Sequence, residues 1–141
     1  MPATQSLVRR LFELAFNRGD LAIVDQLLTP ESITHIPAWG MPASRTGLKL
    51  FVSSLRTAFP DLHCTVENEI LESNRSATHW TMSGTHMGLF LGNPSTGRRI
   101  VAKGATFAQI ADDRITEVWM QIDQYDLLQQ LGIVPPPRGS A

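Results

Sequence analysis

The residue best placed for chemistry is Asp123, which ends the row Glu117, Trp119, Gln121, Asp123 that alternation sets on one strand face. Thr116, Val118, Met120 and Ile122 take the other face. A carboxylate against apolar surface suits general acid/base chemistry, because losing water favours the protonated form of an acid. The competing role is structural. Aspartate is a preferred helix cap, and a short helix is expected to begin at Gln124 or Tyr125. On alternation alone, capping carries the greater weight.

Four histidines could serve as partners. His79 shares a face with Thr81, Ser83 and Thr85, opposite Trp80, Met82, Gly84 and His86. A strand histidine can hold a carbonyl oxygen or exchange a proton, although more often it is half-buried and hydrogen-bonded. His35 lies in a proline-rich stretch beside Trp39, and loops carry function disproportionately. His63, after Phe59-Pro60-Asp61-Leu62, is expected to face solvent. Neither HxxxH nor HxH spacing occurs, so no metal site is expected. The single cysteine, Cys64, sits in an alternating segment and reads as a buried, inert thiol. GxSxG, GxGxxG and P-loop patterns are absent. The run Gly92-Asn93-Pro94-Ser95-Thr96-Gly97-Arg98-Arg99 reads as a hairpin connection rather than a phosphate cradle.

The elements that must position these residues divide in two. Helical spacing marks Leu7, Val8, Leu11, Phe12 and Ala15 after a Thr4 cap, then Leu21, Val24, Leu27 and Leu28 after an Asp20 cap. Thr29-Pro30 should end the second helix, leaving Glu31 to Ser44 irregular. A third helix from about Thr46 carries Leu48, Phe51, Val52 and Leu55 on one face. From Leu62 the period becomes two, giving strands over 62–71, 77–86, 100–111 and 115–123 in an antiparallel meander. A helix from Tyr125 to Leu131 closes the chain. This order predicts an α+β fold: a curved, cone-shaped antiparallel sheet with the N-terminal helices over its concave face, enclosing a pocket.

At 141 residues, with 43% hydrophobic and 18% charged, the chain suits one globular domain over 1–134 and a frayed tail over 135–141. A net charge of -1 gives no footprint for nucleic acid or an anionic membrane. No apolar run approaches the roughly 20 residues of a membrane span, and no signal-peptide core opens the sequence. A cytoplasmic location is the expectation.

The order of pieces resembles the SnoaL-like polyketide cyclases, or ester cyclases, of the nuclear transport factor two-like superfamily. The resemblance runs from Leu7 to Gly132. It is carried by Phe16-Asn17-Arg18-Gly19-Asp20, Phe59-Pro60-Asp61-Leu62, Gly84-Thr85-His86-Met87-Gly88, Gly92 to Arg98, Ile110-Ala111-Asp112-Asp113-Arg114-Ile115, Glu117-Val118-Trp119, and Asp123 with Leu127 to Gly132. It implies a cone-shaped barrel, a homodimer through the sheet and a cavity without cofactor. It also implies that Asp123 is the acid/base of an intramolecular aldol closure, Trp119 a cavity wall, and His35 and His79 polar partners. Trp39, Phe51, Thr106, Glu117 and Gln121 complete the expected lining. Cyclases of this kind carry a histidine on the strand after the Gly-Arg-Arg turn. Val101 to Ala111 has none, and Thr106 stands nearest that position.

The leading expectation is therefore a cofactor-free cyclase acting on a small hydrophobic carbonyl compound. Epoxide hydrolysis or hydroxylation in the same cavity, with His79 and Glu117 or Gln121 positioning water, is the enzymatic alternative. A binding module without turnover is the other class. A sealed or filled cavity around Asp123 would sink both enzyme readings.

Overall fold

Ser6 opens the first helix by accepting the Arg9 N–H at 3.0 Å. The computed structural model describes residues 6–36 and 40–134, so the Thr4 cap, Trp39 and the 135–141 tail lie outside the described residues. Helix α1 (Leu7–Arg10) runs into a π-helical stretch, Leu11–Phe16, and then α2 (Ala22–Leu27). Leu21 occupies the cap position of α2, where Asp20 contributes its carbonyl rather than its carboxylate. The remaining elements are β1 (Leu28–His35), α3 (Arg45–Ala58), β2 (His63–Leu71), β3 (Arg75–Thr85), β4 (Arg99–Ala111), β5 (Arg114–Ile122) and α4 (Gln124–Gln130).

The five strands form one curved, unclosed sheet in the order β1-β5-β4-β3-β2. The expected meander is there as β2 to β5, all antiparallel. The stretch expected to be irregular instead contains β1, which adds to the edge parallel to β5. Pro30 is tolerated because the register shifts between Leu28 and Ile33, where no ladder bond from its nitrogen is needed. Asp112 and Asp113 both adopt positive φ, 51° and 59°, as a two-residue hairpin turn between β4 and β5 requires.

Alternation assigns the faces. Trp80 and Met82 on β3, Ile100, Ala102 and Ala108 on β4, and Val118 and Met120 on β5 are buried under the helices. Phe12 meets Phe16 at 4.8 Å and Trp80 at 5.4 Å between ring centroids, which ties the first helix to the concave face.

The quoted motifs turn out to be clamps between elements. Asn17 Nδ2 donates to the Cys64 carbonyl at 2.9 Å and its Oδ1 accepts the Cys64 N–H at 2.7 Å. Asp61 accepts the Thr85 N–H at 2.7 Å and the Thr85 hydroxyl at 2.8 Å. Gln130 takes both backbone groups of Val101 at 2.8 Å, continuing the ladder where β5 has ended. Nδ1 of buried His86 accepts the Thr96 N–H at 3.2 Å, pinning the β3–β4 connection.

Candidate active site

The concave face under the helices ends in a small chamber lined by Phe12, Phe16, Phe51, Leu55, Trp80 and Met82, with Cys64, Met120 and Ile122 closing it. Its walls are apolar, and its free volume is only about 10 Å³. Burial pushes the Cys64 thiol up to about 12, so it is a wall group rather than a nucleophile, as its position in the sequence suggested. The indole Nε1–H of Trp80 donates to Thr106 Oγ1 at 2.9 Å, and Thr78 Oγ1 donates to the Thr106 carbonyl at 3.1 Å.

The expected site residues fall on two faces. Phe51 lines the chamber and Thr106 is fully buried behind Trp80. Glu117, Trp119, Gln121 and His79 point to the convex face instead, since their strand neighbours Val118, Met120 and Trp80 face inward. Trp119 is therefore not a wall of the interior, as the resemblance implied. It pairs with Phe107 and His35 in the sheet and lines an outer groove of about 420 Å³ with Ile70, Arg75, Ala77 and Phe107.

Three of these residues do meet, on the outer edge. His35 Nε2 lies 2.6 Å from Glu117 Oε2, and its ring stacks on Trp119 at 5.2 Å with planes 10° apart. His79 is elsewhere. It stands on β3 beside Ala105, and two strands, β4 and β5, separate it from β1. At about 4.8 Å per strand, the two histidines are roughly 14 Å apart across the sheet.

Asp123 is exposed and caps α4. Its Oδ1 accepts the Asp126 N–H at 3.2 Å, and its own N–H donates to the Lys103 carbonyl at 2.9 Å. It follows directly on Ile122, whose side chain lines the chamber, so the carboxylate stands outside the chamber at the end of the strand that walls it. The interior is filled in this conformation, which weighs against turnover as it stands.

The chamber-lining residues Trp80, Met82, Met120 and Phe12 were not singled out by type, yet parity carried the signal. Val118, Met120 and Ile122 form the row without charge, whereas Glu117, Gln121 and Asp123 form the wet one. Among the described residues, no group of three or more His, Cys, Asp or Glu is placed to hold a metal ion. Nor is any described helix long and apolar enough to cross a membrane.

The family profile of the SnoaL-like polyketide cyclases matches residues 6–131, nearly the whole described chain. The chain belongs to that family. Among solved structures, SnoaL-like folds superpose closely on it. IdmH from Streptomyces antibioticus, a candidate polyketide cyclase, is 30% identical with a TM-score of 0.79, over 92% of this chain and 98% of its own. TsrD from Streptomyces laurentii is 26% identical with a TM-score of 0.80, over 92% and 98%. AclR from Streptomyces galilaeus, a candidate hydroxylase, is 26% identical with a TM-score of 0.82, over 96% and 85%. Among curated proteins no match is found. SnoaL-like membership and the α+β class with a curved sheet agree with what the motif order implied, whereas the fifth strand, β1, and the unclosed edge do not come from it.

Proposed function

We propose that this SnoaL-like protein is a cofactor-free cyclase that takes a small hydrophobic carbonyl compound into the cone interior, with Asp123 as its acid/base at the rim. One observation carries the reading: the apolar chamber is walled by β5, and that strand ends at Ile122 with a carboxylate next in line. In the reaction, the Asp123 carboxylate takes a proton from the carbon beside one carbonyl. The enolate carbon attacks a second carbonyl of the same molecule, a C–C bond forms, and the new alkoxide takes the proton back. Nothing is oxidised or reduced, and the carbonyl of the substrate itself spreads the enolate charge.

The outer face supports a homodimer through the sheet. Ile70 is 71% and Phe107 49% exposed there, and Arg75 and Glu72 at the rim place both charge signs side by side. A two-fold contact sets the same patch against itself, so mixed charge beside apolar surface is self-complementary.

A second reading, a binding module without turnover, is favoured by the filled chamber and by the engagement of Asp123 as a helix cap. Turnover of polyketide-like diketones by the native chain and by Asp123→Asn decides between them. Loss of turnover in the variant supports the acid/base role. Equal turnover removes Asp123 from the mechanism, and binding without turnover in either leaves the module.

A further inference from the structure

Trp80 is the largest side chain lining the chamber. The indole lies where a side chain at position 104 would go: a Cβ on Gly104 would fall 2.3 Å from Cζ2 and 2.4 Å from Cη2 of Trp80. Glycine inside a strand weakens it, and here the missing side chain makes the seat for the ring. Around that seat stand Phe12, Phe16, Phe51 and Met82, all apolar. Against this dry wall the indole makes one directional bond, from Nε1–H to the buried Thr106 hydroxyl.

We infer that Trp80 is the gate of this chamber and its bond to Thr106 the latch: a flat, indole-sized molecule presenting one of its carbonyls or hydroxyls to Thr106 enters by displacing the indole and inherits the Thr106 hydroxyl. The inference rests on the interior being the ligand chamber of the proposed reaction, and it adds the size, shape and polar group of what fits. When the indole swings away, it leaves a space of its own shape with apolar walls and a single hydroxyl. A few placed polar groups in an apolar pocket are what orient a ligand. The Thr106 hydroxyl donates to a carbonyl or accepts from a phenol. Thr78 holds the Thr106 backbone, so the hydroxyl keeps its place when the ring leaves.

The test uses two bicyclic probes of indole size, the hydrocarbon indene and the ketone 1-indanone, titrated by calorimetry into the full chain. Trp80→Ala opens a hole on the order of the 150 Å³ apolar cavities that accept benzene. It should bind indene at least tenfold more tightly than the native chain. In Trp80→Ala, 1-indanone should bind more tightly than indene, and adding Thr106→Val should erase that preference. Thr106→Val alone leaves the closed indole N–H without a partner and should raise indene affinity about fivefold. Thr106→Ser keeps the hydroxyl and should match the native chain. If Trp80→Ala does not fold, Trp80→Phe keeps a packing ring and should shift indene affinity in the same direction by less.

A folded Trp80→Ala or Trp80→Phe that binds indene no better than the native chain overturns the gate. Equal indene affinities in Thr106→Val and Thr106→Ser overturn the latch. Neither result touches the acid/base reading, which stands or falls on turnover in Asp123→Asn. Conversely, a working gate in a chain whose turnover ignores Asp123 would keep the chamber and discard the aspartate.

Discussion

The Asp123 carboxylate and the Asp126 backbone N–H stand 3.2 Å apart and close the N-terminus of α4. One carboxylate therefore holds a structural post while standing one residue beyond Ile122, which lines the chamber. The two roles separate by substitution. Asparagine caps a helix about as well as aspartate, whereas alanine costs about 1 kcal/mol. Asp123→Asn should keep the native melting temperature yet lose roughly 100-fold or more in turnover, the usual weight of a general acid/base. Asp123→Ala should lose both. Turnover that tracks the melting temperature across the pair would mean Asp123 acts only as a cap.

The Asp61–Thr85 clamp predicts a pH effect. The Thr85 N–H, and then its hydroxyl, hold the Asp61 carboxyl below its ordinary value of 3.8. A group lowered on folding stabilises the native state above its unfolded value and loses that contribution as pH falls through its folded value. The stability gap between the native chain and Asp61→Asn should thus be constant from neutral pH down to about 5. It should shrink through the region at and below 3.8. Thermal melts of both chains across that range read it, and a gap that widens on acidification would reverse the assigned sign.

How much of this was legible depended on whether a residue's environment repeats along the chain. The four antiparallel strands and the buried Cys64 follow from local period, and they are where expected. Strand β1 was hidden because its pairing is parallel and distant in sequence, its inward residues Ser32 and Thr34 are polar, and Pro30 imitates a boundary. The faces of β5 were sorted correctly, but which one looks inward was not evident. Trp119 is the largest side chain on that strand, and size drew attention to the wrong face. It belongs to the outer groove because Val118 and Met120 already occupy the interior. Convergence is a three-dimensional property, so the His35–Glu117–Trp119 contact, made across two strands 82 positions apart, has no local signature.

Position 104 should tolerate nothing larger than glycine. A Cβ there meets the Trp80 ring at 2.3 Å and also the Gln121 carbonyl oxygen at 2.4 Å, and the latter is backbone that cannot swing aside. Gly104→Ala should lower stability by about 1–3 kcal/mol, the range for overfilling a packed core. Denaturant melts measure it. Combining it with Trp80→Ala should recover only the part of the loss due to the ring. Full recovery would mean the carbonyl contact is harmless.

The proposed sheet-face homodimer makes the last prediction. Phe107 is half-exposed on the convex face, between Ala77 and Trp119 on the neighbouring strands. Because it contributes nothing to the core beneath the helices, a charge at this position should leave the monomer folded. A charge buried at the centre of a two-fold contact meets its own copy, and like charges in a desolvated patch are strongly disfavoured. Phe107→Glu should therefore convert a dimer to a monomer in light scattering, with an unchanged circular dichroism spectrum. Ser54→Glu serves as the control, since it is exposed on α3, away from the sheet's outer face. A Phe107→Glu chain of unaltered mass would place any self-association elsewhere and return the outer groove to other ligands.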